Sequence, residues 1–395
     1  MKQQFQFNIA VTPVQRAREM LRADKAADAV ALMRAYLQAH ADDHAAWHLL
    51  SVAEVQPSRK RYYDALKAIR QALKLAPEIA SYQTQLGFAL MHAGRYPEAI
   101  AQLQPLLEAQ PEDYALLNAL HMAYLRSGDN ANALALGQRI MTLEDRTAMQ
   151  NRQPPPPARM APRPRGQRKI IAYALWGGAT IYNHGALVNA RIAPFFYPGW
   201  QCRFYLGSDV PRATVDLLTR TGAEVIDASA CYPDIPPSMW RFLPADDAEV
   251  GLFVSRDCDS RPSAKEAAAV AAWLASGKRA HVMHDHITHR VVMLAGLWGA
   301  RTDPALHMAA RIRRLLAQGP AAGYGGDQLF LMREIWPEIC DDCLLHDSYY
   351  NLFGAVPFPL MGRGDDKFHV GIAVSKPQRL QEEARLLGLP VPVVG

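Results

Sequence analysis

Two aspartates separated by one residue, Asp257 and Asp259, come just after the mainly apolar run Val250–Ser255 and one arginine. An apolar run that stops at charged residues predicts a buried strand that delivers its last residues to a sheet edge. Open α/β sheets bind their ligands at the carboxyl ends of strands. Two carboxylates at such an edge provide hard oxygen ligands for a divalent cation. Without further context, however, this pattern is more typical of turns and helix caps.

The composition describes a globular chain with no strong electrostatic preference. Half of its 395 residues are hydrophobic, and 43 basic residues against 38 acidic ones give a net charge of +5. This small excess does not indicate a nucleic-acid partner. The first residues lack the apolar core of a signal peptide, and the apolar run at 291–300 is too short to span a bilayer. We therefore expect no transmembrane segment and a cytoplasmic location.

The five cysteines indicate reduced thiols rather than a disulfide framework. Cys340, Cys343 and His346 have spacings that are typical of zinc sites. A structural zinc site is disfavoured, because no fourth ligand and no second CxxC motif lie nearby.

The first 145 residues contain a repeat with a period of 34 residues. Ala65, Ala99 and Ala133 follow this period, as do Gly94 and Gly128. The unit resembles a tetratricopeptide repeat, in which small residues allow helices to cross closely. About four units fit, beginning near residues 11, 44, 80 and 115. Helical hairpins of this kind must stack to bury their apolar faces, which predicts an all-α solenoid with a groove for a protein or peptide. The alternative is an array that only stabilises or dimerises the protein.

The pattern changes twice after this array. The stretch 151–168 is rich in proline and arginine and predicts a semi-rigid linker between domains at 1–150 and 169–395. The rest alternates apolar strand-like runs with helix-like segments, which predicts an α/β domain with a largely parallel sheet. The predicted strands are 170–176, 202–207, 223–228, 250–255 and 279–284.

Several ordered motifs give this second domain a family resemblance. They are LWGGATIYNHG from Leu175, MWRFLPADD from Met239, FVSRDCDS from Phe253, HVMHDHITH from His281, LAGLWGAR from Leu294 and GYGGDQLFL from Gly323. The domain resembles a GT-A glycosyltransferase with a Rossmann-like α/β fold, and more narrowly a bacterial family that places such a domain behind tetratricopeptide repeats. The resemblance implies a nucleotide-sugar donor, with UDP-sugars favoured, and Mn²⁺ or Mg²⁺ on its diphosphate.

The resemblance also implies roles for individual residues. The expected metal ligands are Asp257, Asp259 and a C-terminal histidine, for which His346 is preferred over His369. Asp327 and Gln328 are expected to position the sugar or to act in catalysis. His286, in a segment with Asp285 and His289, is expected to be a catalytic or acceptor-site group because histidine titrates near neutral pH. The donor is expected to contact Leu175, Trp176, Gly177, Tyr182, Asn189, Arg256 and Asp257.

Simpler roles compete with several of these assignments. Trp176 can pack in the core instead of stacking on a base, and Gly177 can form a plain turn. Arg256 can form a surface salt bridge instead of pairing with phosphate. Asp327 is also a good helix N-cap.

Three functions follow as hypotheses. The first is a metal-dependent glycosyltransferase whose acceptor is a protein, such as flagellin or another surface protein, recruited by the repeats. The second is a repeat-based adaptor whose nucleotide-sugar-binding domain is catalytically inactive. The third is transfer to a glycan, with the repeats used for homo-oligomerisation.

Overall fold

The computed structural model describes residues 12–150, 152, 167–302, 306–319, 325–360 and 362–392. The chain forms two compact units that divide between Ile140 and Met141. The predicted linker 151–168 lies almost wholly outside the described residues.

The first unit is an all-helical solenoid built from antiparallel helix pairs. Ala65, Ala99 and Ala133, which recur at the 34-residue period, have no exposed surface, as expected of small residues at helix crossings. Gly94 and Gly128 have φ values of 76° and 87°, so both end a helix in a backbone conformation that favours glycine. The repeat period therefore correctly predicts the fold of this unit. Its helices are α1 Pro13–Arg22, α2 Ala26–Ala39, α3 His44–Val55, α4 Tyr62–Leu75, α5 Ala80–His92, α6 Tyr96–Ala109, α7 Tyr114–Ser127 and α8 Asn130–Met149.

The last turns of α8 belong to the second unit. Glu144 Oε2 accepts a hydrogen bond of 2.9 Å from the amide of Val292, and Asp145 Oδ1 accepts one of 2.7 Å from Trp336 Nε1. Ala148 lies in the core of the second unit. These contacts hold the last turns of α8 against the rest of the second unit.

In the described part of the second unit, seven strands form one sheet of order β3-β2-β1-β4-β6-β5-β7. Only β6 runs antiparallel to its neighbours, β4 and β5. The prediction of an α/β sheet is confirmed, but β6 and β7 were not predicted as strands. The strands are β1 Arg168–Leu175, β2 Gln201–Leu206, β3 Glu224–Asp227, β4 Val250–Ser255, β5 Ala280–His284, β6 Trp298–Arg301 and β7 Cys343–Asp347.

Both faces of the sheet are covered. Alternate residues of β1 belong to two different hydrophobic clusters, as the two-residue period of a strand requires. One cluster contains Phe242, Phe253 and Trp298, and the other contains Phe204 and Trp273. The segments that cover the sheet are α9 Thr180–Phe196, α10 Arg212–Arg220, α11 Ala228–Cys231, the 3₁₀ segment Pro237–Asp246, α12 Ala264–Ser276, α13 Met308–Ala317, α14 Gly326–Phe330, the π-helical turn Leu331–Ile335, α15 Trp336–Ile339, the 3₁₀ turn Cys340–Asp342 and α16 Pro377–Leu387. None of the described helices is long and apolar enough to cross a membrane.

Two buried histidines on β5 and β7 make the stability of this unit dependent on pH. His281 Nε2 lies 2.8 Å from His346 Nδ1, and both residues are buried. Burial lowers the pKa of His346 to about 4, and burial, followed by His346 and Arg256, lowers that of His281. The unfolded chain binds these protons near pH 6.5, so the contribution of the two histidines to stability is fully present above that pH and is lost as the pH falls towards 4.

We therefore expect the free energy of unfolding to fall between pH 6.5 and 5, where most carboxylates are still ionised. Urea unfolding at several pH values measures this slope. His346→Gln is expected to flatten it, because one of the two groups no longer titrates. Equal slopes for the variant and the wild type would contradict this interpretation.

Candidate functional site

A pocket of about 960 Å³ opens at the carboxyl ends of β1 and β4. These two strands are neighbours in the sheet, and β2 lies on the other side of β1. From β1 the strand order therefore runs one way to β2 and β3 and the opposite way to β4. Ligands of open α/β sheets bind at such a switch point. The pocket is lined by residues 174–179, Tyr182, 236–238, Arg241, 257–259, His289, 294–297, Gly325, Asp327, Gln328, Gly371 and Ala373.

Three carboxylates reach this pocket, and one arginine bridges two of them. The Asp257 side chain is 42% exposed, and its Oδ1 accepts a hydrogen bond from Arg241 Nη1. Arg241 Nη2 donates to Asp327 Oδ2 at 2.8 Å. The Arg241 side chain is only 9% exposed. Burial opposes its charge, but Asp257 and Asp327 outweigh burial and raise its pKa.

The third carboxylate, Asp259, forms no ion pair with any described residue. Burial and then the negative charge of Asp257 raise its pKa. A divalent cation would relieve both effects, because it would neutralise two adjacent oxygen ligands of the kind that Mg²⁺ prefers. The donor set of Asp257 and Asp259 therefore fits a cation whose other positions are filled by substrate oxygens and water.

Arg256 and Asn189 form hydrogen bonds to the backbone of residues 255–258 and do not line the pocket. Arg256 is buried, and its Nε donates to Glu266 Oε1 at 2.6 Å. The expected phosphate contact is therefore wrong, and so is the alternative of a surface salt bridge, because the side chain points into the interior. Asn189 is fully buried and donates to the carbonyl oxygen of Cys258 at 3.3 Å.

The residues expected to contact the donor nucleotide after β1 do line the pocket. Trp176 and Tyr182 are 43% and 44% exposed, so Trp176 is not a core residue. Leu175 also lines the pocket. Gly177 has a φ of 71°, and its amide donates to Asp209 Oδ1 at 2.9 Å. Two partly exposed aromatic side chains therefore line the pocket beside this turn.

Asp327 and Gln328 lie together at the start of α14, on the pocket wall. The N-cap of this helix is Gly325, so capping does not account for Asp327. Its carboxylate instead binds Arg241 through Oδ2. The sequence interpretation missed Arg241, although an arginine within the apolar stretch SMWRFLP was a usable signal, because a buried charge needs a partner.

Two expected site histidines lie elsewhere. His346 is buried on β7 against His281, away from the pocket lining, so it is not placed to join Asp257 and Asp259. No three His, Cys, Asp or Glu side chains are arranged as metal ligands anywhere in the described ranges. His286 contacts Asp366 Oδ1 through Nε2 at 3.0 Å and does not line the pocket. His289, three residues later, does.

Comparison with known proteins supports the repeats. The tetratricopeptide repeat family model matches residues 58–104 and 84–143. Among solved structures, a mutant O-GlcNAc transferase from Thermobaculum terrenum is 21% identical with a TM-score of 0.38, and the match covers 62% of this chain and 45% of that one. MamA from Desulfovibrio magneticus RS-1 is 18% identical with a TM-score of 0.31, and the match covers 35% of this chain and 78% of that one. No curated protein matches by sequence. This chain thus spans less than half of the transferase, and its first unit carries tetratricopeptide repeats.

Proposed function

We propose that the second unit is a GT-A-type glycosyltransferase that moves a sugar from a nucleoside-diphosphate donor, with UDP-sugars favoured, to an acceptor. The observation that carries the proposal is the convergence of Asp257, Asp259 and Asp327 on one pocket at the switch point of the sheet. Trp176 and Tyr182 supply exposed aromatic faces at the same pocket.

Each group in the pocket has a defined task under this proposal. Asp257 and Asp259 would hold Mn²⁺ or Mg²⁺, which would supply Lewis-acid stabilisation of the charge on the departing diphosphate. Arg241 orients the carboxylates of Asp257 and Asp327 through its two nitrogens. Asp327 and Gln328 position the sugar.

The repeats suggest the class of acceptor. A solenoid is an extended surface that suits recognition better than chemistry. We propose that the first unit binds a protein or peptide acceptor.

A thermal-shift screen of nucleotide sugars, with and without Mn²⁺, tests the function. Binding to the folded state raises the melting temperature by mass action. We expect one nucleotide sugar to raise it, and to do so more strongly when Mn²⁺ is present. If no member of the panel stabilises the protein, the proposal is wrong.

Gly296 provides a sharper version of the same experiment. A methyl group at position 296 would overlap the Asp257 carboxylate, whereas one at Gly178 meets no atom within 4 Å. Gly296→Ala is therefore expected to displace Asp257 and to remove the Mn²⁺-dependent part of the shift. The matched control Gly178→Ala lies in the same pocket and should keep that dependence. Retention of the full Mn²⁺ effect in Gly296→Ala would argue against Asp257 as a ligand.

A further inference from the structure

His289 lines the pocket, whereas the sequence predicts a catalytic or acceptor-site role for His286, three residues earlier. Its side chain lies on the pocket wall with Leu294 and Gly296, while the residue as a whole is only 7% exposed. Burial of a polar ring costs free energy unless its nitrogen atoms form hydrogen bonds, so the partner of each ring nitrogen matters here.

One hydrogen bond determines where the proton of the ring lies. The backbone amide of Asp285 donates to His289 Nδ1 at 3.0 Å. A backbone amide is only a donor, so Nδ1 must be the acceptor. In a neutral imidazole the proton is then on Nε2.

The surroundings of His289 keep the ring neutral. Burial, and then the neighbouring histidines His369, His284 and His286, lower its pKa well below the usual value. The His289 and His369 rings lie 5.0 Å apart, and the His289 and His286 rings 6.0 Å apart. A positive charge on the buried His289 ring would be unfavourable, which supports the neutral Nε2–H form.

The loop that carries His289 is held rigidly. Tyr350 donates its hydroxyl proton to the carbonyl oxygen of Ile287, and the His289 amide donates to the carbonyl oxygen of His286 at 2.9 Å. The buried carboxylate of Asp285 accepts hydrogen bonds from Lys265 Nζ at 2.6 Å and from the Val370 amide at 2.9 Å. A donor fixed in this way loses little freedom when a ligand arrives.

His289 Nε2 forms no hydrogen bond to a described residue, and the residue lines the pocket. We propose that His289 is a neutral hydrogen-bond donor that contacts an oxygen atom of the bound nucleotide sugar through Nε2–H, either on the diphosphate or on the sugar. This inference rests on the proposed function. It also means that His289 is not the base that deprotonates the acceptor, because neither ring nitrogen has a lone pair directed at the pocket.

Two substitutions separate the proposed ligand contact of Nε2 from the hydrogen bond that Nδ1 accepts within the protein. His289→Gln places an amide near the position of Nε2 and keeps a donor to the pocket. His289→Asn places its carbonyl oxygen near the position of Nδ1, so it keeps an acceptor for the Asp285 amide but does not reach the ligand. His286→Gln is the matched control, because it lies in the same loop and faces Asp366.

Isothermal titration calorimetry measures the affinity of each variant for two probes, and Mn²⁺ is present in every titration. The probes are inorganic pyrophosphate and the nucleotide sugar that most stabilises the wild type in the thermal-shift screen. We expect His289→Asn to weaken binding by roughly tenfold to a hundredfold, the usual value of a hydrogen bond to a charged group, and His289→Gln to stay within about fivefold of the wild type. Weaker binding of both probes assigns the contact to the diphosphate, and weaker binding of the nucleotide sugar alone assigns it to the sugar.

The opposite order, with His289→Asn binding as the wild type does and His289→Gln binding weakly, would mean that the ring is only structural and would overturn the inference. A wild type that binds neither probe would overturn the proposed function together with this inference. Long-range ¹H–¹⁵N spectra of the wild type provide a measurement without any substitution. The Nε2–H tautomer, with an Nε2 shift that moves when the probe is added, supports the inference, and an Nδ1–H tautomer or an unchanged shift refutes it.

Discussion

Replacing Asp257 and Asp259 together by asparagine is expected to abolish Mn²⁺-dependent turnover of the nucleotide sugar while leaving the fold intact. Asparagine has the shape of aspartate but lacks the charge that binds a divalent cation. Several kcal/mol of transition-state stabilisation would be lost, so the rate should fall by at least about a thousandfold. Release of the nucleoside diphosphate, measured across a range of Mn²⁺ concentrations, gives the effect.

A control for this double variant is Asp216→Asn. Asp216 is exposed on α10 and pairs with Arg212 at 3.0 Å on the helix surface. Pairs of this kind contribute little, so this variant should behave as the wild type does. Turnover by the double variant at the wild-type rate, with unchanged Mn²⁺ dependence, would refute the metal assignment.

Lys265→Met is expected to destabilise the second unit strongly. Lys265 Nζ binds Asp285 Oδ1 at 2.6 Å, and the two side chains are 1% and 0% exposed. Removing one partner leaves the other as a buried charge without its counter-ion, which costs about 3–5 kcal/mol. Because Asp285 also holds the Gly364 and Val370 amides, the loss should loosen the loop near the pocket.

Urea unfolding of Lys265→Met and of Arg212→Met measures this difference. Arg212→Met breaks an exposed pair whose side chains are 85% and 46% exposed, so its cost should stay below about 1 kcal/mol. If the two variants lost similar amounts of free energy, Lys265 would not be a structural counter-ion.

The repeat unit was predictable because its information is local and periodic. Helix α5 begins at Ala80, the residue near which the third repeat was expected, and the alanines at the 34-residue period are buried. Each repeat contacts its neighbours in sequence, so a period in the chain becomes a period in the structure.

The sheet was predictable only in part. Strand β4 matches the predicted 250–255, and the aspartates that follow it do open onto a pocket. Strand β6 was not predicted, because it has only four residues and shows no clear alternation of apolar and polar side chains. The strand is largely buried, between β4 and β5 in the sheet. Strand β7 was not predicted, because its five residues, CLLHD, contain only a short apolar run that ends in polar residues.

By itself, the sequence determined the repeats, the α/β class, and the carboxylates and aromatic residues that follow the strands. Only the tertiary structure decided which side chains meet. Arg241 joins Asp257 and Asp327, which lie 16 and 86 positions away from it, so no local pattern could indicate their contact. Side-chain direction also depends on neighbouring strands and loops, which is why Arg256 points inward and His289, rather than His286, faces the pocket.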